Sequence, residues 1–456
     1  MNSQALTLIL FFAIPFSLFA IIRPKQAILA ILVLALFTGP AKMLLGIRET
    51  PLILDIALIV AILSIFIENH LLKNEKLALP RYSFAVLVLL LASFFQMFNS
   101  SIESIQAALE GFRLSAFYMI AFFSARYVLT STKDILLLMK TLIVASFFIG
   151  IYGIRQHYFP FDGEIYWAMS SAQQMQLFWG KEMRVFSTLN GLGAFAMFIP
   201  LSIVTHVAFY NLTESRKWKR FTIISLLFFS IAALFSMTRS AWLASLIGVF
   251  FFTFALEFKE KRRLFIFLGA FLIIGIIILN ILPKTQVLVD RMGTLEALES
   301  DSGVMTRFLI MEDAIEWLYE HPLGNGIGST SSAIYNLYST ETIAGHNQYL
   351  DMALELGIIP SLFYLFIVFA SLLYGWRLTF RSKEPTVKIA AAWITAYNLA
   401  FQAISAQGQV FGFPQSLHFW FLMGLLVSLE HLSKDLKKAD EETLRAASTS
   451  EERVTS

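Results

Sequence analysis

Long apolar stretches separated by short polar loops dominate the chain. Most are about 17–22 residues long, the length that an α-helix needs to cross a bilayer. Runs of this length exclude barrel strands, and the hydrocarbon core excludes irregular backbone, so the spans are predicted to be helices. The predicted spans are 5–22, 26–46, 52–68, 83–98, 113–130, 135–153, 189–210, 221–237, 241–256, 264–282, 346–374, 387–405 and 417–431.

This pattern predicts an all-α polytopic membrane protein with about 12–13 transmembrane helices. Pro15, Pro40 and Pro51 fall in the first three runs, so kinks or re-entrant pieces there would reduce the count to twelve. Composition agrees, because 57% of the 456 residues are hydrophobic and only 15% are charged. A soluble protein of this length needs much more polar surface.

Cysteine is absent, which excludes disulfides and thiolate metal sites. The net charge of +3 gives no indication of nucleic-acid binding, because the basic residues cluster in short loops. The basic loops alternate with loops that have few basic residues, and the positive-inside rule places the basic ones in the cytoplasm. They are 23–25, 73–81, 125–133, 215–220, 259–263 and 377–388.

The same rule predicts an outer N-terminus and a cytoplasmic tail at 432–456. The first apolar run lacks a basic segment before it, so it is predicted to be a retained helix rather than a signal peptide. Residues 1–282 then comprise transmembrane helices with an outer segment at 154–188. Residues 283–345 form a large outer segment that contains an amphipathic helix, "MTRFLIMEDAIEWLYEHP", predicted to lie at the membrane surface. Residues 346–431 hold the last spans.

Arg239 is the only charged residue between Arg220 and Glu257, and it falls at a tight outer turn. A snorkelling side chain is one interpretation. The other is contact with a distant acid or a ligand anion, since a guanidinium forks well onto phosphate. Arg184 lies on the same outer side, just before a span, so the two arginines together favour an anion site.

The residues that follow Arg184 are typical of a capped helix N-terminus. Thr188 and Asn190 can cap the next helix, and Gly191 and Gly193 allow close backbone approach. An ordinary interface arginine at a helix entry is the alternative explanation for Arg184.

A third candidate is "AGHNQYLDMALELGIIP", residues 344–360. Asn347, Asp351 and Glu355 follow at four-residue steps, which places them on one helix face. His346 begins the helix on another face and is a candidate general base; a hydrogen-bonded interfacial histidine is the alternative. No metal-ligand, P-loop or dinucleotide motif is present, so neither metal nor cofactor is expected.

The order "MRVFSTLNGLGAF", "SMTRSAWLA", "RFLIMEDAIEWLYEHPLGNGIGS" and "GHNQYLDMALELGIIP" resembles the O-antigen ligase and Wzy-type polymerase superfamily. The resemblance covers roughly residues 150–375. It implies a GT-C-like helical fold in the bacterial inner membrane, with a large periplasmic segment before the His-containing helix and an active site that faces the periplasm.

The implied reaction is metal-independent transfer of a glycan from undecaprenyl diphosphate to a hydroxyl acceptor. By this resemblance, Arg184 and Arg239 correspond to the arginines that contact the diphosphate, and His346 corresponds to the essential histidine. Arg155 and Arg307 are further candidates for phosphate or glycan contact, and Asn190 and Asn347 are candidate substrate-binding residues.

Three functions remain open at this stage. A ligase passes the glycan to a lipid A core or similar acceptor, as in lipopolysaccharide biosynthesis. A Wzy-type polymerase passes it to another lipid-linked repeat unit, as in exopolysaccharide biosynthesis. A transporter of lipid-linked glycan is the more remote alternative, since transporters place binding charges near the midplane and show repeated halves.

Overall fold

The structure, a computed structural model, describes residues 3–44, 46, 50–74, 76, 79–102, 104–170, 177–266, 269, 293, 302–330 and 345–433. Almost all regular structure in these residues is helical. The first helices are α1 Ser3–Ile22, α2 Pro24–Leu34, α3 Gly39–Leu44, α4 Thr50–Phe66, α5 Ser83–Phe95, α6 Ile105–Ser115, α7 Ile120–Val128, α8 Thr132–Tyr158 and α9 Asp162–Ser170.

A two-stranded antiparallel hairpin follows, with β1 at Phe178–Trp179 and β2 at Glu182–Met183. The later helices are α10 Leu192–Leu212, α11 Arg216–Phe235, α12 Arg239–Thr253, α13 258–266, α14 Ser302–Glu320, α15 Gln348–Leu356, α16 Ile358–Arg381, α17 Pro385–Ser405 and α18 415–433.

Five helices in the described residues are long and apolar enough to cross a membrane, which confirms the prediction of an all-α polytopic membrane protein. The number of spans, 12 or 13, stays a prediction, as do the segment boundaries. These five are Thr50–Leu72, Thr132–Tyr158, Leu192–Leu212, Arg216–Phe235 and Ile358–Arg381. Shorter apolar helices are Phe11–Ile22, Pro24–Phe37, Ser83–Phe98 and Arg239–Thr253.

Three predicted spans are broken in the structure. The run 26–46 contains α2, a 3₁₀ turn at Ala35–Phe37 and α3. The run 113–130 is interrupted by a 3₁₀ turn at Phe117–Met119. The run 346–374 is divided at Gly357, whose φ of +89° is a conformation that favours glycine and ends α15. Pro40 had indicated a possible kink or re-entrant piece in the first of these runs. The breaks in the other two runs were not predicted.

The predicted span 264–282 lies almost wholly outside the described residues, as do parts of the outer segment and of the cytoplasmic tail. The predicted amphipathic helix is present as α14. Its Ala314 is fully buried, whereas Phe308 and Leu309 remain exposed. Docking of this exposed apolar side at the membrane surface stays a prediction.

Helices α10, α17 and α18 form the centre of the bundle, and nearly every residue of each is buried. Helix α10 packs against α8, α11, α12 and α17, and α8 packs along α11. Trp393 and Trp420 are fully buried aromatic residues of this core. The central helices therefore form a rigid frame whose ends carry the polar loops described next.

Candidate functional site at one end of the helix bundle

Arg184 holds the turn between α11 and α12. Its Nε donates a hydrogen bond to the carbonyl of Ser236 at 2.9 Å, and its Nη2 donates to the carbonyl of Met237 at 3.1 Å and to Thr238 Oγ1 at 2.9 Å. These carbonyls lie at the C-terminus of α11, where backbone dipoles leave partial negative charge that a guanidinium stabilises. Met237 has a φ of +52°, which lets the chain reverse within three residues.

Arg239 is the first residue of α12 and is half-buried. The preceding Thr238 makes no capping hydrogen bond to this helix; its hydroxyl donates instead to the carbonyl of Ser236 at 3.1 Å. A helix N-terminus attracts anions through its N–H groups and its dipole. Because Arg184 is bound to the residue next to Arg239, the structure brings the two predicted arginines to a single turn.

An amide from α8 fixes the extended segment that carries Arg184. Gln156 Oε1 accepts hydrogen bonds from the backbone N–H groups of Phe186 at 3.0 Å and Ser187 at 2.8 Å. The N–H of Val185 donates to the carbonyl of Phe235 at 3.0 Å. The segment therefore runs against the last residue of α11 and cannot move independently of it.

The capping role predicted for Thr188 and Asn190 is wrong. Gly191 occupies the N-cap position of α10, with no side-chain cap. The Thr188 hydroxyl donates to the carbonyl of Leu36 at 2.7 Å, so it ties this segment to the turn after α2. Asn190 Oδ1 is buried without a hydrogen-bond partner among the described residues. A buried acceptor in this state is unusual among native proteins.

His346 lies in a tight loop immediately before α15, which begins at Gln348 and not at His346 as predicted. Its φ of +47° is a left-handed conformation, uncommon for a residue other than glycine. Asp351 Oδ1 accepts a hydrogen bond from the N–H of Gly345 at 2.8 Å. Asn347 is the N-cap, and its side chain accepts from the N–H of Tyr349 at 2.9 Å. The loop is thus held on both sides of the imidazole.

Helix α17 runs antiparallel to α10. Trp393 Nε1 donates to Thr205 Oγ1 at 2.9 Å, and one turn further along α17 Tyr397 lines the same small cavity as Leu201. Moving forward along α17 therefore means moving backward along α10. The C-terminus of α17 at Ser405 consequently lies level with the start of α10, beside the Arg184 segment.

The His346 loop reaches the same end of the bundle. Asn347 Nδ2 donates to the carbonyl of Ala406 at 3.4 Å, and Tyr349 Oη donates to Gln402 Oε1 at 2.9 Å. Both contacts are to the C-terminal end of α17. The arginine turn and the His346 loop thus lie at the same end of the helix bundle, and their position relative to the membrane stays a prediction.

Arg307 acts on His346 through its charge. Burial lowers the pKa of the His346 imidazole below its ordinary value, and the positive charge of Arg307 in α14 lowers this pKa further. The imidazole is therefore neutral near pH 7, and a neutral imidazole can accept a proton.

Arg155 is bound within the protein. Its Nη1 and Nη2 donate to the two carboxylate oxygens of Glu164 at 2.6 and 2.7 Å. Burial by itself would raise the pKa of the Glu164 carboxyl, but hydrogen bonds from Arg155 and from the Phe161 N–H outweigh it, and the pKa is lowered. Contact of Arg155 with substrate stays a prediction, and the ion pair gives this residue a structural role.

Arg155→Ala and Glu164→Ala are each expected to destabilise the protein by about 3 kcal/mol, because each leaves a partly or fully buried charge without its partner. The double variant is expected to lose less than the sum of the two. Unfolding of the purified variants in detergent measures this coupling. If Arg155 instead binds donor substrate, Arg155→Ala weakens donor affinity whereas Glu164→Ala does not.

Asp351 gives the site a dependence on pH. Burial raises the pKa of its carboxyl, the hydrogen bond from the Gly345 N–H lowers it, and the charge of the neighbouring Glu355 raises it, so that the pKa is about 7. Since this folded-state pKa lies above the unfolded value near 4, the folded state binds the proton more tightly. Stability from this group is thus greatest at low pH and falls as the pH rises from about 4 to 7.

Asp351→Asn is expected to flatten that pH dependence, because the amide oxygen still accepts from Gly345 but does not titrate. The change in unfolding free energy that this removes is on the order of a few kcal/mol. Thermal unfolding in detergent between pH 4 and 8 measures it. Parallel profiles for the wild type and the variant would show that Asp351 does not titrate in this range.

Glu355 was placed by its spacing on one helix face with Asn347 and Asp351, but its partners, and the role of Gln348, escaped prediction. Glu355 is fully buried, and its carboxylate accepts hydrogen bonds from Thr330 Oγ1 at 2.7 Å and from Ser115 Oγ at 3.2 Å. Gln348 Oε1 accepts from the N–H groups of Val410 and Phe411 at 2.8 and 3.0 Å. These contacts fix α15 against three distant segments. A carboxylate and an amide within an apolar stretch were the only signals in the sequence.

An ion-pair network on α6 was also missed. Arg113 Nε donates to Asp55 Oδ2 at 2.6 Å, and Arg113 Nη1 donates to Glu110 Oε1 at 3.0 Å. Tyr118 Oη donates to the other oxygen of Asp55 at 2.8 Å. Arg113 precedes Ser115, the partner of Glu355, so this network anchors α6 beneath the His346 loop.

A comparison with known protein families indicates which family this chain resembles. Residues 224–365 match the sequence model of the O-antigen ligase family. This part of the chain is similar to an O-antigen ligase domain. The match confirms the resemblance drawn from the sequence motifs. No curated protein matches the chain.

The matched segment contains the turn at Arg239, helix α14 with Arg307, and the loop with His346 and Asn347. Arg184, Arg155 and Asn190 lie outside it, N-terminal to the matched residues. The family identifies a membrane enzyme of the glycosyltransferase type. The individual roles of these residues, and the metal independence of the reaction, stay predictions.

Proposed function

We propose that the protein transfers a glycan from undecaprenyl diphosphate to a hydroxyl acceptor at the end of the bundle where Arg184, Arg239 and His346 lie. The observation that carries this proposal is the single turn that joins Arg184 to the N-terminus of α12 within a segment that matches the O-antigen ligase family. Both groups there favour an anion, and a diphosphate is the leaving group of a lipid-linked glycan.

In the reaction, the acceptor oxygen forms a bond to the anomeric carbon while the bond from that carbon to the diphosphate oxygen breaks. Negative charge develops on the departing lipid diphosphate, and fixed guanidinium groups stabilise it more in the transition state than in the ground state. His346 takes the proton of the attacking hydroxyl. Its lowered pKa keeps it neutral for this purpose.

The remaining candidates have supporting roles in this proposal. Asn190 Oδ1 is buried without a hydrogen-bond partner among the described residues. In this proposal it accepts a hydrogen bond from a hydroxyl group of the glycan. Arg307 contributes positive charge beside the imidazole, where the phosphates of the donor gather. The site faces the periplasm of a bacterial inner membrane, because the basic loops lie at the other end of the helices.

The test uses purified protein in proteoliposomes with undecaprenyl-diphosphate-linked glycan, with and without a lipid A core acceptor. Glycan attached to the core, with release of the lipid diphosphate, identifies a ligase. A longer lipid-linked chain, formed without the core, identifies the polymerase alternative, which uses the same donor site. Movement of intact donor across the bilayer without any new glycosidic bond would overturn the proposal in favour of a transporter.

A further inference from the structure

A polar cavity lies between the C-terminus of α10, the N-terminal half of α11 and α13. Its volume is about 200 Å³. Because liquid water occupies roughly 30 Å³ per molecule, the cavity holds a group of several heavy atoms. Two cations, Lys219 and Arg263, lie in its wall together with the amide of Asn211.

The cavity is remote from the candidate transfer site. Lys219 precedes Ser236, the turn residue that Arg184 binds, by most of the length of α11. At 1.5 Å per residue this separation is about 25 Å along the helix axis, close to the thickness of the hydrocarbon core. The cavity therefore opens at the opposite membrane face, the side on which the basic loops are predicted to lie.

The cavity has an excess of positive charge. Neither Lys219 nor Arg263 forms an ion pair with a described carboxylate, although the Lys219 ammonium lies 5.4 Å from the Tyr210 ring centroid. Glu260 also lines the cavity, but its Oε2 accepts a hydrogen bond from the N–H of Glu257 at 3.0 Å. It thereby caps the start of α13. Its charge offsets only one of the two cations, so a net positive charge remains for an incoming anion.

The rest of the wall combines His206, Tyr210 and Thr222 with apolar side chains. Val207, Leu226 and Leu264 are buried side chains that line the cavity. Ile223 also lines the cavity, and Ile224 and Ile266 on the same helices are exposed. A ligand that suits this arrangement has a phosphate at the polar mouth and hydrocarbon beside the apolar walls.

We propose that this cavity binds the phosphate headgroup of an anionic phospholipid, with Lys219 and Arg263 on the phosphate. Basic pockets between transmembrane helices at the cytoplasmic surface suit such headgroups. The apolar walls favour a lipid over a soluble phosphate, which shares the same anionic group. The proposal does not depend on glycan transfer.

The test measures binding of dihexanoyl phosphatidylglycerol to delipidated full-length protein in uncharged detergent, by calorimetry. Each cation near an anionic headgroup is worth roughly 1 kcal/mol, or about five-fold in affinity. Lys219→Ala and Arg263→Ala are each expected to weaken binding about five-fold, and the double variant about 25-fold. Dihexanoyl phosphatidylcholine is expected to bind less tightly than phosphatidylglycerol.

Lys217→Ala and Arg262→Ala are the matched controls, since both residues are exposed, lie on the same two helices and do not line the cavity. Both controls are expected to bind as the wild type does. Equal losses in controls and cavity variants, or no loss in the double cavity variant, would overturn the site. Glycerol phosphate that binds as tightly as phosphatidylglycerol would overturn the lipid as its occupant. All variants are compared at matched thermal stability.

Discussion

Arg239→Lys is expected to reduce glycan transfer about 100- to 1,000-fold, the range seen when one donor to a developing anion is lost. The substitution keeps the positive charge and the length of the side chain. It removes the planar fork that binds two phosphate oxygens at once, which an ammonium cannot replace. Initial rates with undecaprenyl-diphosphate-linked glycan in proteoliposomes measure the loss.

The control for this experiment is Arg220→Lys, which alters an exposed arginine near the other end of α11. It is expected to retain wild-type rates. Transfer by Arg239→Lys at the rate of the control would show that Arg239 does not contact the diphosphate. Equal unfolding temperatures for the two variants would confirm that the comparison reports chemistry and not folding.

His346→Ala is expected to reduce the rate of transfer by about 100- to 10,000-fold, the typical contribution of a general base. Donor binding is expected to change little, because the proton acceptor acts only on the attacking hydroxyl. Single-turnover rates and equilibrium binding of the donor separate the two effects. Loss of donor affinity with an unchanged single-turnover rate would show that His346 binds the donor and is not the base.

The pH profile gives His346 a signature that a structural histidine lacks. Because burial and Arg307 lower its pKa, the imidazole stays neutral below the ordinary histidine value. Transfer is therefore expected to persist as the pH falls to this ordinary value and to decline only below it. Arg307→Gln is expected to move the decline to higher pH. His70→Gln, a change in a histidine hydrogen-bonded to Tyr127, serves as the control and is expected to leave the profile unchanged.

Sequence alone was sufficient for the helical membrane fold. It also selected Arg184, Arg239 and His346 as candidates, whose roles stay predictions. Bilayer thickness dictates the length of an apolar run, so spans can be identified locally. A lone charge at an outer turn is costly without a partner, which singles out Arg239. The four motifs, in their order along the chain, identified the resemblance to the O-antigen ligase family.

The same reasoning could not find how the site is held. Arg184 binds carbonyls more than fifty residues away, and Gln348 binds backbone groups more than sixty residues away. Arg155 was a candidate for phosphate or glycan contact, and its spacing did not reveal the partner Glu164, which stands nine positions later, beyond a helix end. Such contacts depend on tertiary packing, which periodicity and spacing do not encode.

The hydrogen bonds that Glu355 accepts have a consequence for biosynthesis. Ser115, which binds one carboxylate oxygen, leaves the ribosome 240 residues before Glu355 does. Thr330, which binds the other, is made only shortly before it. The carboxylate therefore has its full set of donors only after most helices have been inserted. A nascent chain released before residue 355 lacks this carboxylate, and the family-matched segment, if excised, lacks Ser115. Neither is therefore expected to form a functional His346 loop.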